Sequence, residues 1–331
     1  VQTIAILGAG SWGTSLAVHL ARTGHTVRLW GRDAALMGKL EADRVNAVYL
    51  PGISLEPQVR TTASLTEALA GVTLVVAAIP SHGLRPVIHQ AVAEVPVAVP
   101  IVSTVKGIEH GTWFRMSEVI EDESGPGRPV AVLSGPTFAL EVARGLPAAV
   151  TIASKDAAVA ALVQQEFRSP TIRLYGTDDV VGVEVGGALK NVIAIAAGVV
   201  ESCGLGANAT AALVTRGLAE ISRLAMAMGG RRETLAGLSG LGDLVLTCTG
   251  QLSRNRQLGI ELGAGRSVAD AIAATRMVAE GVRTAHAALA LGDRFGVELP
   301  IIRQMHEVIE GQRSPQAALA ELMLRPQKTE S

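Results

Sequence analysis

A five-residue strand-like run, Thr3–Leu7 (TIAIL), leads without a gap into Gly8-Ala9-Gly10-Ser11-Trp12-Gly13, and a helical run, Thr14–Thr23, follows. A second strand-like run, Thr26–Trp30 (TVRLW), comes next. A bare G-x-G-x-x-G is common, but between a strand and a helix at the start of a βαβ unit it has a specific physical use. Gly8 permits the tight turn, Gly10 lets the backbone approach a diphosphate, and Gly13 lets the helix pack on the strand. The unpaired N–H groups of the helix N-terminus then stabilise the phosphates. The spacing therefore predicts a dinucleotide-binding loop with Gly8, Gly10, Ser11, Trp12 and Gly13 at its centre.

Further strand-like runs follow at Thr73–Ile79, Val97–Val105, Val130–Leu133 and Ala148–Ala153. Several are apolar on both faces, as buried parallel strands are, and the stretches between them can host crossover helices. This is the alternation of a doubly wound, Rossmann-like α/β domain. After about Tyr175 the strand signals stop. Helical patterns take over at Val180–Val200, Ala209–Met228, Ser253–Leu262, Ser267–Arg276, Arg283–Phe295, Ile301–Glu310 and Pro315–Leu324, with glycines such as Gly229-Gly230 and Gly296 as stops. The expected organisation is an α/β domain over 1–178 and an all-α domain over 179–331.

Open α/β sheets bind ligands at the carboxyl ends of their strands. The second strand ends in Trp30-Gly31, where an NAD site usually carries a carboxylate, and Arg32 follows. A guanidinium there could pair with a 2′-phosphate or stack on adenine, and Asp33 is close enough in sequence to reach a ribose instead. Both NAD and NADP stay open. Lys106-Gly107 closes the fourth of these six runs and offers a fixed positive charge where cofactor and substrate would meet.

Composition removes several classes of function. The chain has 331 residues and a formal net charge of -1, which gives no global field for nucleic acid or anionic lipid. Its apolar stretches read as core elements rather than membrane spans. Val1 runs straight into the first strand with no basic region or cleavage site, so no signal peptide is expected. Cys203 and Cys248 make no disulfide framework and no metal-ligand spacing. The expectation is a cytoplasmic protein with reduced thiols and no metal.

One residue contradicts its surroundings. Gly187–Glu201 (GALKNVIAIAAGVVE) reads as a buried helix, yet Lys190 and Asn191 sit inside it. An ammonium in apolar surroundings is costly unless it is paired. Helical spacing puts Gly186, Gly187, Ala194 and Ala197 on the lysine's face, leaving room for either another backbone or a small ligand. A lysine held there can polarise a carbonyl or exchange a proton, or it can be a structural cation satisfied by a buried carboxylate or a helix C-terminus.

Gly187–Gly198, with Glu201 and Gly204–Asn208, resembles the signature of the NAD(P)-dependent glycerol-3-phosphate dehydrogenases of bacterial type. The similarity extends to Gly8–Gly13, Tyr49-Leu50-Pro51-Gly52, Ser103–Gly107, Ser134–Ala139 with Glu141–Ala143, Gly240–Leu244 and Ser253-Arg254-Asn255. Ser202-Cys203 departs from that family's usual glycine and aliphatic residue. The resemblance implies reversible reduction of dihydroxyacetone phosphate to sn-glycerol 3-phosphate, in a homodimer that supplies phospholipid synthesis. It implies Lys190 as the acid–base at the C2 oxygen and Asp243 as orienting either Lys190 or the substrate hydroxyls, with both residues at the substrate. It places Lys106, Gly135, Thr137, Ser253, Arg254 and Asn255 on the substrate, with the last three at the phosphate. It places Ser11, Trp12, Arg32, Lys106, Ala139, Arg254, Val278 and Glu280 on the cofactor. The chemistry agrees: hydride transfer to a ketone builds charge on oxygen that a nearby ammonium stabilises and protonates. Two rivals remain. A related dehydrogenase acting on sugar nucleotides or β-hydroxyacids could share the two-domain plan, though a nucleotide-sugar oxidation through a thioester would need a reactive cysteine. A non-catalytic cofactor sensor would have no use for Lys190, Asp243 and Arg254 together.

Overall fold

A computed structural model describes residues 1–273 and 279–326. The chain divides into two compact units, Val1–Glu184 and a second that begins at Val185.

The first unit is built on an eight-stranded sheet. Its strands are β1 (Thr3–Leu7), β2 (Thr26–Trp30), β3 (Val59–Thr62), β4 (Leu74–Ala77), β5 (Ile101–Ser103), β6 (Val130–Ser134), β7 (Ala148–Ala153) and β8 (Ile172–Thr177). The order is β3-β2-β1-β4-β5-β6-β7-β8, so the chain reverses direction across the sheet between β3 and β4. Side-chain alternation sorts the core into two layers. Ile4 and Ile6 pack with Leu16, Ala17 and Leu20 on one face. Ala5 and Leu7 pack with Leu84, Ile88, Val119 and Ile120 on the other. Helices thus cover both faces, as a doubly wound sheet requires.

Three details differ from the sequence expectation. β3 and β8 were not expected; both are edge strands, and β8 alternates partly exposed polar positions with apolar ones. β7 runs antiparallel to β6. The connection between them holds a five-residue helix, Ala139–Ala143, and β7 returns beside β6 rather than crossing over the sheet. The run Val97–Val105 contributes only Ile101–Ser103 to the sheet. Pro96 and Pro100 flank a turn in which Val99 N–H donates to Pro96 O, and Val97 is exposed.

In the second unit every described element is helical. The Val180–Ser202 helix starts in the first unit and continues into the second. Among the described residues it is the one helix long and apolar enough to cross a membrane, and 94% of its most apolar window is buried in the protein. Its apolar character therefore belongs to a core. The helix expected over Ser267–Arg276 is seen as Val268–Ala273, and Arg276 and Val278 lie outside the described residues. The Gly240–Asp243 stretch, which reads as a turn, is instead a π-helical turn, Leu238–Gly242, running directly into a helix, Asp243–Thr249.

Candidate functional site

In the first unit the glycine loop has the form its spacing predicts. The Gly8 N–H donates to Trp30 O, and the Ser11–Arg22 helix begins with Gly10 as its N-cap. Gly8 has φ +118°, and a Cβ there would lie 2.5 Å from Ala78 O. A Cβ on Gly13 would lie 1.8 Å from Gly8 O, so the helix can sit this close to the strand only with glycine. A Cβ on Gly10, in contrast, would meet no described atom within 4 Å. Two glycines fixed by protein contact and one facing open space are what a diphosphate cradle needs, so these residues fit a dinucleotide.

Around this loop, Ala139 O accepts from Ser15 Oγ at 2.7 Å, which places Ala139 beside the loop's helix. Trp12 packs partly buried against the core. The Ser11 hydroxyl donates to Tyr49 O at 2.6 Å, so its side chain is engaged by the protein and its backbone N–H is the group at the helix start. Arg32 is exposed just beyond β2. Asp33, weighed for a ribose contact, caps the Ala34–Asp43 helix by accepting from Leu36 N–H at 3.0 Å.

At the ends of β5 and β6 the structure brings three expected substrate residues together. Lys106 Nζ donates to Gly135 O at 3.1 Å, and Thr137 Oγ1 donates to the same oxygen at 3.2 Å. Gly135 takes φ +147°, and a Cβ there would lie 3.0 Å from Val150 Cα, so glycine is required at this bend.

In the second unit the question raised by Lys190 has a direct answer. Its Nζ donates to Asp243 Oδ1 at 2.7 Å and to Thr247 Oγ1 at 2.6 Å. All three side chains are buried: Lys190 is 6% exposed, Asp243 1% and Thr247 4%. Thr247 also donates to the Asp243 backbone carbonyl at 2.6 Å. The π-helical turn delivers Asp243 at the first position of its helix, so Thr247 lies four residues on, on the same face. Thr247 was not expected from the sequence; the i, i+4 spacing from Asp243 is the signal that could have found it.

The small residues on the Lys190 helix admit other backbones. A Cβ on Gly186 would lie 2.8 Å from Ser239 O, and one on Gly198 would lie 2.0 Å from Arg256 O. At Gly186, on the lysine's face, the alternative left open by the sequence resolves to helix packing.

Ser253 caps the Arg254–Gly263 helix, its Oγ accepting from Arg256 N–H at 3.2 Å. Asn255 is buried; it donates to Asn191 Oδ1 at 3.0 Å and accepts from Gly281 N–H at 3.1 Å. Its amide thus joins three helices. Arg254 keeps an exposed face. The protein around its guanidinium strips water from it and lowers its pKa, and the charge of Glu280 opposes that shift. Arginine stays cationic across such shifts. Glu280 begins the Glu280–Phe295 helix.

Both cysteines are free thiols. Burial pushes the Cys248 thiol up to about 12, with Lys190 opposing and Asp243 reinforcing the shift. It is a protonated core side chain, not a nucleophile. Among the described residues no cluster of His, Cys, Asp and Glu could hold a metal.

Comparison with known proteins agrees with this geometry. Residues 3–160 match the model for the N-terminus of NAD-dependent glycerol-3-phosphate dehydrogenase, and residues 179–320 match that for its C-terminus. The chain is 53% identical over 335 residues to glycerol-3-phosphate dehydrogenase (NAD(P)+) of Koribacter versatilis, covering 100% of this chain and 99% of that protein. It is 52% identical to the protein of the same name from Acidobacterium capsulatum, with 100% of both chains covered. A crystal structure of glycerol-3-phosphate dehydrogenase from Coxiella burnetii superposes with a TM-score of 0.95 at 40% identity, over 98% of this chain and 99% of that one. With the cradle for a dinucleotide in one unit and a buried, carboxylate-held lysine in the other, the chain belongs to the NAD-dependent glycerol-3-phosphate dehydrogenase family.

Proposed function

We propose that the chain catalyses the reversible reduction of dihydroxyacetone phosphate to sn-glycerol 3-phosphate with NADH or NADPH. It is an oxidoreductase of glycerol 3-phosphate that uses NAD(P). The observation that carries the residue roles is the ammonium of Lys190, buried and held at 2.7 Å by Asp243. The cofactor, when bound, supplies the hydride and takes it back in the reverse direction. Lys190 stabilises the charge that grows on the C2 oxygen and gives that oxygen a proton. Asp243 and Thr247 hold the ammonium in one orientation, so little reorganisation is needed as charge develops. Arg254 receives the phosphate dianion at the start of its helix, with N–H groups and a guanidinium acting together. Lys106, Gly135 and Thr137 contribute the first unit's contacts to substrate, with Ser253 and Asn255 supporting Arg254 in the second.

The reading gives the cofactor to 1–178, through Gly8, Gly10, Ser11, Trp12, Gly13, Arg32, Lys106 and Ala139. It gives catalysis to 179–331, with Arg254, Val278 and Glu280 adding cofactor contacts from that side. It includes a cytoplasmic homodimer that supplies glycerol 3-phosphate for phospholipid synthesis. The test is absorbance at 340 nm with purified protein, reduced cofactor and dihydroxyacetone phosphate. Loss of absorbance that requires the substrate supports the reading; cofactor binding without turnover supports a sensor instead.

A further inference from the structure

We propose that Asn46 is a positioning residue for the cofactor loop, fixing the Ala9–Gly10 peptide so that its N–H faces the diphosphate of the dinucleotide. Asn46 is completely buried. Its Nδ2 donates to Ala9 O at 2.9 Å and to Thr14 Oγ1 at 2.8 Å, and its Oδ1 accepts from Tyr49 N–H at 3.1 Å. The orientation of the amide is chemically unambiguous, because a carbonyl can only accept and a backbone N–H can only donate.

The consequence follows from peptide geometry. In a trans peptide the carbonyl of one residue and the N–H of the next point in opposite directions. Holding Ala9 O on the protein side therefore turns the Gly10 N–H to the opposite side. That is the loop position where a Cβ would meet no described atom within 4 Å. The Thr14 contact ties the same amide to the first turn of the helix whose N–H groups face an anion.

The segment that presents Asn46 is built to stay still. Val45 and Ser54 form an antiparallel bridge at its base, and Leu55 N–H donates to Arg44 O at 2.7 Å. Leu50 and Ile53 anchor it in the core. At its far side the Ser11 hydroxyl donates to Tyr49 O at 2.6 Å. The 45–54 segment thus grips the glycine loop at Ala9, Ser11 and Thr14 with side-chain hydrogen bonds, while Gly8 and Gly13 are fixed by packing. A rigid donor array costs no ordering when the ligand arrives, so the grip contributes to cofactor affinity rather than to the chemical step.

The inference rests on reading Gly8–Gly13 as the dinucleotide loop, and the experiment separates the two. Dissociation constants for NADH and NADPH are measured by quenching of tryptophan fluorescence for wild type, Asn46→Asp, Asn46→Ala and Val163→Ala. Val163→Ala removes core volume from the Ala157–Phe167 helix, which contributes none of the hydrogen bonds to the loop described above, and serves as a stability control. Asn46→Asp replaces two donors with an acceptor facing a carbonyl and should weaken both cofactors at least about tenfold, with Asn46→Ala between it and wild type. The KM for cofactor should rise in parallel, while kcat and the KM for dihydroxyacetone phosphate at saturating cofactor stay within about twofold, the pattern of lost uniform binding. If Asn46→Asp does not fold, Asn46→Ala decides the matter. A folded Asn46→Ala with unchanged cofactor affinity overturns the proposal, as does an equal loss in Val163→Ala. Failure of the wild type to bind either cofactor overturns the dinucleotide reading itself and this proposal with it.

Discussion

Lys190 and Asp243 lie 53 residues apart in the chain and meet as a buried ion pair, Nζ to Oδ1 at 2.7 Å. Breaking such a pair from one side leaves the other charge stranded, at a cost of about 3–5 kcal/mol. Lys190→Met should therefore lower both stability and rate, the rate by ~10²–10⁴-fold. The double variant Lys190→Met/Asp243→Asn should recover much of the stability and none of the activity. Denaturant unfolding together with kcat separates the two roles. A double variant that regained turnover would remove Lys190 from the chemistry.

Arg254 should distinguish phosphorylated from unphosphorylated substrate. Arg254→Ala should lose roughly 1.5–3 kcal/mol of binding for dihydroxyacetone phosphate and little for dihydroxyacetone. Arg254→Lys keeps the charge but not the fork and should also be clearly impaired. Steady-state kinetics with both ketones reads the difference; equal losses on both would move Arg254 to the cofactor or the fold.

Arg32 is exposed beyond β2, and its neighbour Asp33 is committed to capping a helix. No carboxylate directly at the strand end repels a 2′-phosphate. Arg32→Ala should raise the KM for NADPH more than that for NADH. Equal increases would indicate stacking on adenine.

Glu220 accepts N–H bonds from Ile301 at 2.8 Å and Ile302 at 3.2 Å, capping the Pro300–Ile309 helix from a distant part of the chain. Burial raises its pKa from 4.5 to about 7, against those two N–H groups and the charges of Arg223 and Arg325. Between these values the folded protein binds more protons at Glu220 than the unfolded chain does, so this group's contribution to stability falls as pH rises. The contribution is complete below the unfolded pKa and lost as pH passes the folded one. Glu220→Gln should flatten the stability profile between 4.5 and 7 relative to wild type, as measured by urea unfolding across that range. Parallel profiles would show that Glu220 does not titrate there.

Cys248, with its thiol raised to about 12, should resist alkylation by iodoacetamide in the folded protein and react once unfolded. Mass spectrometry of the labelled peptide checks this. Rapid labelling in the native state would reopen the thioester rival.

What the sequence revealed and concealed has a physical basis. Thr3–Leu7, the glycine loop and the helix after it were legible because buried parallel strands and tight turns restrict residue choice strongly. β3 and β8 were not, because an edge strand with exposed positions needs no continuous apolar run. The oddity of Lys190 was visible, but Thr247 was not, since one threonine in a helix carries no signal until its partner is known. Asn46 escaped for a similar reason: asparagine is usually a surface or turn residue, and only the fold shows it wholly enclosed. Gly240 and Gly242 read as a turn because glycine marks turns, whereas here Gly240 lets a widened helical turn lie against its neighbour. A Cβ on Gly240 would sit 2.1 Å from Leu235 O.

The glycine crossing of the second unit also acts as a ruler. A Cβ on Gly198 would lie 2.0 Å from Arg256 O, and one on Gly259 would lie 1.9 Å from Ile195 O, so the two helices touch through their backbones. One of these helices carries Lys190 and the other begins with Arg254. The separation of the two helices is therefore set by main chain, which cannot adjust as side chains do. On the proposed roles, a phosphorylated ketone one carbon longer should be reduced more slowly than dihydroxyacetone phosphate, and a Gly198→Ala variant, which forces the helices apart, should narrow that difference.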